Sequence, residues 1–154
     1  MVTLLGRGPR MTRTRETGER VLYSASGLGG AAMRRVLVVD DSSTTRALIV
    51  STIEEMEGFE TVEAHNGFEA LKRLPQQPFD LIVTDINMPD INGLEIVHFV
   101  KHHPQYQSIP LIIVSTEGSE DDVRKGLDLG ASAYVKKPFE PEFLKATIRQ
   151  IIKG

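Results

Sequence analysis

The chain has 154 residues, of which 40% are hydrophobic and 25% are charged, and it contains no cysteine. These values are typical of one soluble globular domain, and the lack of cysteine excludes disulfides, thiolate metal sites and cysteine nucleophiles. Because no apolar run approaches the roughly 18 residues of a membrane helix, we expect a cytoplasmic protein without membrane association.

The charge divides the chain into two parts. Residues 1–32 carry five arginines and two glutamates, a formal charge of +3, and the whole chain carries −3, so the remainder carries −6. The first segment has many glycines and no apolar period, and we predict a disordered basic extension over residues 1–32 and a folded domain over residues 33–154. An acidic domain argues against nucleic-acid binding, which depends on neutralising phosphates.

Five short apolar runs predict buried strands, at residues 36–39, 60–64, 79–85, 111–114 and 133–135. Apolar residues recur at helical spacing between and after them. The predicted helices have a cap at Ser42 or Ser43, a capping box from Ser119 to Asp122, and ends at Gly58, Pro75 and Gly130. The predicted apolar faces include Leu48, Phe68, Phe99, Leu127 and Phe143, the last together with Leu144, Ile148, Ile151 and Ile152.

Strand and helix alternate five times, which predicts an α/β domain of the (βα)5 type. Such units form a doubly wound parallel sheet with right-handed crossovers and helices on both faces. All strands of a parallel sheet end at one edge, and polar residues follow four of these strands: Asp40-Asp41, Asp85, Ser115-Thr116 and Lys137. Each has an ordinary explanation alone, as a helix cap or a solvated charge, but together they form one candidate site.

Three carboxylates at one edge repel one another, and a divalent cation among them lowers that cost. Oxygen ligands without His or Cys favour Mg²⁺. The hydroxyl of Ser115 and the ammonium of Lys137 then suit a phosphoryl group. This set predicts phosphoryl transfer in which Asp85 is the nucleophile and Asp40 and Asp41 hold the metal.

The sequence resembles the receiver domain of two-component response regulators, and the resemblance extends over residues 34–153. Its motifs are VVDDS at 38–42, VTDINMP at 83–89, Gly93, VST at 114–116 and YVKKPF at 134–139. The resemblance implies a flavodoxin-like (CheY-like) fold with strand order 2-1-3-4-5. It also implies a cis peptide between Lys137 and Pro138.

The resemblance further implies a role for each matching acidic position. Asp85 matches the phosphoacceptor. Asp41 and Asp85 match the direct Mg²⁺ ligands, and the backbone carbonyl of Asn87 matches a third. Asp40 matches the acidic residue that acts largely through water.

Four further positions match residues that respond to the phosphoryl group. Ser115 matches the switch hydroxyl, and Lys137 matches the lysine that contacts the phosphoryl group. Tyr134 matches an aromatic switch residue, although a half-buried strand aromatic is an equal alternative. Glu117, with Asn87, matches the positions that tune the phosphoryl lifetime.

We therefore predict a stand-alone receiver that takes a phosphoryl group from a histidine kinase and catalyses only its own phosphorylation and dephosphorylation. Its output is expected to be a protein-binding surface formed by residues 119–129, 133–136 and 141–152, on a monomer. A flagellar switch or motility protein is the first expected partner, as in chemotaxis. A histidine phosphotransfer protein of a phosphorelay is the alternative.

A phosphatase of the haloacid dehalogenase type is a competing hypothesis, because it too uses Asp, Mg²⁺ and Lys. Such enzymes resemble an Asp-x-Asp pattern. Asn87 stands two residues after Asp85 and Ser42 two residues after Asp40, so neither aspartate fits that pattern.

Overall fold

The structure is a computed structural model that describes residues 32–153. Apart from Ala32, the predicted basic extension lies outside the described residues. The strands in chain order are β1 (Arg34–Val39), β2 (Phe59–Ala64), β3 (Leu81–Thr84), β4 (Leu111–Ser115) and β5 (Ala133–Lys136). The helices are α1 (Ser43–Glu54), α2 (Gly67–Arg73), α3 (Gly93–Lys101), α4 (Glu120–Asp128) and α5 (Pro141–Ile151), with a short 3-10 helix (Leu74–Gln76) after α2.

The five strands form one parallel sheet in the order β2-β1-β3-β4-β5, which confirms the predicted fold. β1, β3 and β4 lie in the middle and β2 and β5 at the edges. The pairing register places Val39 beside Thr84 and Thr84 beside Ile113. The ends of the three central strands therefore lie nearly level, and the residues that follow them meet at one edge of the sheet.

The sheet is buried on both faces, as its continuous apolar strands require. Every residue of β3 and β4 is buried. Alternate side chains point to opposite faces, so Leu37 and Val39 belong to one core cluster and Val36 and Val38 to the other. The edge strand β2 is only partly buried, which explains its weaker apolar pattern.

Side-chain caps fix where the first four helices begin. Ser42 is the cap of α1, where its side chain accepts the Thr45 amide. The predicted capping box of Ser119 and Asp122 is present at α4. A second capping box, Asn92 with Glu95, starts α3, and the sequence analysis missed it. None of the helices within residues 32–153 combines the length and apolar character needed to cross a membrane.

Part of the predicted helix faces is wrong, because some of their large apolar side chains face solvent. Phe143 is 58% exposed, whereas Leu144 and Ile148 are fully buried. Successive helical residues point about 100° apart, so a stripe centred on Leu144 and Ile148 leaves Phe143 outside. The same holds for other members of the predicted faces, namely Leu48, Phe68, Phe99 and Leu127.

The contrast between Leu144 and Phe143 can be tested by urea unfolding. Leu144→Ala leaves a cavity between α5 and the sheet, and we expect it to lower the free energy of unfolding by about 2–5 kcal/mol. The matched substitution Phe143→Ala removes an exposed ring and is expected to change it by about 0.5 kcal/mol. Circular dichroism at increasing urea measures both. Equal losses would contradict the assigned orientation of α5.

Candidate functional site

The carboxyl edge of the sheet brings together three aspartates, Asp40, Asp41 and Asp85. Each can offer one carboxylate oxygen, and these atoms lie within 4.8 Å of one another. Asp40 and Asp85 are buried, whereas Asp41 is exposed. The backbone explains this arrangement: the Asp85 amide donates to the Val39 carbonyl at 2.9 Å, so the residues that end β1 and β3 stay side by side.

Backbone amides hold one oxygen of each buried aspartate. The Ser42 amide donates to Asp40 Oδ1 at 2.9 Å, and the Ile86 amide donates to Asp85 Oδ1 at 2.8 Å. Both second oxygens face the ammonium of Lys137, whose Nζ lies 3.0 Å from Asp40 Oδ2 and 3.5 Å from Asp85 Oδ2. Lys137 thus contacts two of the three carboxylates of the cluster, and Asp41 adds a third negative charge beside them.

The electrostatics of Asp85 follow from this crowding. Burial raises the pKa of Asp85; the positive charge of Lys137 opposes that shift, and the negative charge of Asp40 adds to it. The net direction is upward, so the ionised form of Asp85 is held at a cost. A cation that enters the cluster would therefore stabilise the ionised form of Asp85.

The donor set fits a hard divalent cation such as Mg²⁺. All three side chains offer oxygen, their ligand atoms are within reach of a single ion, and no His or Cys belongs to the group. The exposed position of Asp41 leaves one side of the cluster open to solvent. The sequence-predicted carbonyl ligand, Asn87, follows in the loop after β3, and its role stays a prediction.

Lys137 follows β5 and contacts two of the aspartates, and Ser115 ends β4, the strand that pairs with β3. Ser115 is fully buried, and the Lys137 amide donates to its carbonyl at 2.8 Å. The peptide between Lys137 and Pro138 is cis, as the resemblance implied. Lys136, one residue earlier, is exposed and packs over Gly118 instead. Alternation along β5 therefore separates the two lysines.

Glu117 contacts three other predicted site residues, Ser115, Asn87 and Tyr134. Its amide donates to Ser115 Oγ at 3.1 Å, and its side chain accepts from Asn87 Nδ2 at 3.2 Å. The hydroxyl of Tyr134 donates to the Glu117 carbonyl. Burial raises the pKa of the Tyr134 hydroxyl, while a hydrogen bond with Ser115 partly opposes that shift. Asn87, Ser115 and Tyr134 are thus joined through one residue.

The loop after β3 approaches Asp85 so closely that only glycine fits at position 93. A Cβ there would lie 2.0 Å from the carbonyl oxygen of Asp85, well inside any normal contact. The Gly93 amide also donates to the Ile86 carbonyl at 2.9 Å. The start of α3 is therefore packed directly against the backbone of Asp85, and Gly93 helps to fix its position.

The sequence analysis missed two residues that hold backbone groups close to the site. Arg46 Nη1 donates to the carbonyl of Asp40 at 2.7 Å while its Nε pairs with Glu63 at 2.8 Å. Asp90 accepts the amides of Gly67 and Phe68 at the start of α2. Both contacts join residues that are distant in sequence or lie in a loop, and no periodic pattern marks them.

The fold is a doubly wound α/β domain whose carboxyl edge carries an aspartate cluster and one lysine, and known proteins resemble the chain in sequence and fold. Residues 36–149 match the family described as response regulator receiver domain. A chemotaxis protein CheY homolog from Campylobacter jejuni is 38% identical over 119 residues, 77% of this chain and 92% of that protein. A probable transcriptional regulatory protein from Picosynechococcus is 37% identical over 77% of this chain but only 49% of its own length.

A solved structure leads to the same family. The chemotaxis response regulator CheY4 of Vibrio cholerae superposes with a TM-score of 0.73 at 36% sequence identity. The match covers 79% of this chain and all of that structure. The chain belongs to the response regulator receiver domain family and is similar to its CheY members. Receiver domains of this kind are signalling proteins that interact with histidine kinases and downstream targets.

The raised pKa of Asp85 predicts that Asp85→Asn stabilises the metal-free domain at pH 7. An acid whose folded-state pKa lies above its unfolded value, about 3.9, stabilises the fold below that value and loses this contribution as the pH rises through the folded-state pKa. The uncharged amide escapes that loss. Urea midpoints measured in EDTA should therefore favour the variant at pH 7, and its advantage should narrow as the pH falls toward 4.

Asp41→Asn is the matched control, because Asp41 belongs to the same cluster but is exposed. We expect a smaller gain from it. A wild-type domain that is more stable than Asp85→Asn in EDTA at pH 7 would contradict the electrostatic account of the cluster.

Proposed function

We propose that Asp85 accepts a phosphoryl group from the phosphohistidine of a histidine kinase. The observation that carries this proposal is that the two oxygens of Asp85 have different partners. The Ile86 amide occupies Oδ1, whereas Oδ2 faces the Lys137 ammonium at 3.5 Å. Oδ2 is thus the oxygen left to attack, beside a cation that can bind an incoming anion.

The transfer forms one bond and breaks another. Oδ2 of Asp85 attacks phosphorus, and the P–N bond to the kinase histidine breaks with its electron pair left on the imidazole nitrogen. The Ile86 amide keeps the carboxylate oriented through Oδ1. Lys137 exchanges part of its contact with Asp40 and Asp85 for contact with the phosphoryl oxygens. In this proposal the buried Ser115 hydroxyl, which accepts the Glu117 amide, exchanges its hydrogen bond with Tyr134 for one that it donates to the phosphoryl group.

Asp40, Asp41, Asp85 and the carbonyl of Asn87 would hold Mg²⁺ in this proposal. When bound, the ion supplies positive charge that neutralises the cluster and the phosphoryl oxygens. The clustering of three carboxylate oxygens supports this assignment. The side chains of Asn87 and Glu117, hydrogen-bonded at 3.2 Å, stand beside the site and are proposed to control how readily water reaches the acyl phosphate.

The proposed output is a protein-binding surface on α4, β5 and α5. A shallow groove lies between α4 and β5, lined by Val123, Leu127, Tyr134 and Lys136 among others, and Leu127 is 42% exposed. Tyr134 both lines this groove and binds the Glu117 carbonyl. It is therefore the residue that a movement of Ser115 and Glu117 would reach first.

We propose a chemotaxis or motility protein as the downstream partner. The chemotaxis relative from Campylobacter jejuni is matched over 92% of its length, which supports this assignment. A histidine phosphotransfer protein is the alternative partner, and in that case Asp85 would pass the phosphoryl group on. Incubation of the chain, carrying a radiolabelled phosphoryl group, with each candidate distinguishes the two, because only a phosphotransfer protein acquires the label.

Incubation with radiolabelled acetyl phosphate and Mg²⁺ tests the acceptor. We expect one acid-stable, hydroxylamine-sensitive label per wild-type chain and none on Asp85→Asn, which lacks the nucleophilic oxygen. Asp80→Asn is the control, since Asp80 is an exposed aspartate that accepts the Arg35 amide before β3 begins. A full label on Asp85→Asn would place the acceptor elsewhere.

Lys137→Ala is predicted to separate phosphorylation from its structural response. The variant should still be labelled, because the nucleophile is intact, but the phosphoryl group would lack the ammonium that couples it to β5. Amide spectra with and without beryllofluoride, a phosphoryl analogue, measure the response of α4, β5 and α5. Lys72→Ala, an exposed lysine on α2, is the control. If beryllofluoride shifted the amide signals of Lys137→Ala as much as those of the wild type, Lys137 would have no role in the structural response.

A further inference from the structure

Asp90 fastens the loop after β3 to a separate part of the chain. Its Oδ1 accepts the Gly67 amide at 3.2 Å and its Oδ2 accepts the Phe68 amide at 2.8 Å. Both amides belong to the first turn of α2, where backbone donors lack partners within the helix. Asp90 therefore adds to the cap that Asn66 provides for α2, and does so from a loop more than twenty residues away in sequence.

The start of α2 and the loop that carries Asp90 are also closely packed. A Cβ on Gly67 would lie 2.4 Å from the carbonyl oxygen of Ile91, so the start of α2 touches the loop backbone itself. Desolvation acts to raise the pKa of Asp90, but the amides of Ile91, Phe68 and Gly67 outweigh it and hold that pKa below its usual range. Asp90 is thus a charged acceptor at neutral pH, which strengthens both bonds.

The same loop carries the proposed reactive residues. It leaves β3 at Asp85, passes through Asn87 and ends at Gly93, where the glycine packs against the Asp85 carbonyl. Its two ends are therefore held by β3 and by the start of α3. Asp90 lies between these ends, three residues after Asn87, and joins the middle of the loop to α2.

We infer that Asp90 is a positioning residue of the phosphoryl site, which holds the loop so that the Asn87 carbonyl and Asp85 can share one cation. This inference rests on the proposed function, because it assigns Asp90 to the same site. Asp90 itself touches neither the cluster nor the reacting atoms in this role. Its effect is carried by the backbone between residues 87 and 93.

Removing the two hydrogen bonds of Asp90 should therefore lower the affinity of the site for Mg²⁺. Octahedral Mg²⁺ tolerates little displacement of its ligands, and loss of a residue that orients a ligand typically weakens metal binding by about 10–100-fold. Asp90 acts from further away, so we expect Asp90→Ala to raise the Kd for Mg²⁺ by about tenfold. Phosphorylation at limiting Mg²⁺ should slow accordingly and recover when Mg²⁺ is saturating.

The experiment compares Asp90→Ala with Asp80→Ala in the full chain. Asp80 is the matched control, because its Oδ2 also accepts a distant backbone amide, that of Arg35 at 2.8 Å, but before β3 and away from the aspartate cluster. Isothermal titration gives the Kd for Mg²⁺, and acetyl phosphate labelling gives the rate at limiting and saturating Mg²⁺. Hydrogen exchange of the Gly67 and Phe68 amides reports whether the cap is lost.

Weaker Mg²⁺ binding in Asp90→Ala alone, with a rate that saturating Mg²⁺ restores, supports the positioning role. Equal Mg²⁺ affinity in the two variants overturns it, even where both are less stable than the wild type. Asp90→Asn keeps one acceptor oxygen, and its Kd for Mg²⁺ is expected to lie between those of Asp90→Ala and the wild type. This variant also provides the test if Asp90→Ala fails to fold. A wild-type chain that takes no label refutes the proposed function, while the Mg²⁺ titrations still decide the role of Asp90.

Discussion

The site depends on the ion pairs that the Lys137 ammonium forms with Asp40 and Asp85. The ammonium lies 3.0 Å from Asp40 and 3.5 Å from Asp85, and the fold removes both carboxylates almost completely from water. A buried charge without a partner costs several kcal/mol. The lysine at the end of β5, which reaches back to the ends of β1 and β3, offsets part of that cost, together with the amides of Ser42 and Ile86. The compensation is incomplete, since Asp41 adds a third carboxylate to the same cluster. This remaining negative charge favours a cation, and the cation and Lys137 together favour an anion.

Backbone packing fixes the site as firmly as charge does. Gly93 meets the carbonyl of Asp85 and Gly67 meets the carbonyl of Ile91 at distances that exclude any Cβ. Both contacts place a helix start directly against the loop that follows β3. Because close-packed backbone cannot shift without disturbing its neighbours, the starts of α2 and α3 determine where the loop lies. The site is therefore built from the starts of helices as well as from the ends of strands.

These two kinds of constraint explain what could be predicted from the sequence. The five strands and their polar ends were predictable, since continuous apolar runs identify buried strands and a parallel sheet aligns the residues that follow them. The cap at Ser119 was predictable because its partner is three residues away. The orientation of Phe143 was not, because neighbouring apolar residues on a helix leave its buried face ambiguous. Nor were the contacts of Arg46 and Asp90, which join residues that only the tertiary fold brings together.

The position of Glu117 bears on how a change at the site reaches the surface. Its three contacts use different groups: the amide for Ser115, the carboxylate for Asn87 and the carbonyl for Tyr134. A shift of Ser115 toward a phosphoryl group would remove the acceptor of the Glu117 amide, and the carbonyl held by Tyr134 would then move with the same stretch of backbone. Contact alone does not establish coupling, which requires an element with two arrangements. Tyr134 is our proposal for that element, because it is only half buried, its ring packs beside Gly126, and its hydroxyl bonds to both Glu117 and Ser115, the residues that such a shift would move.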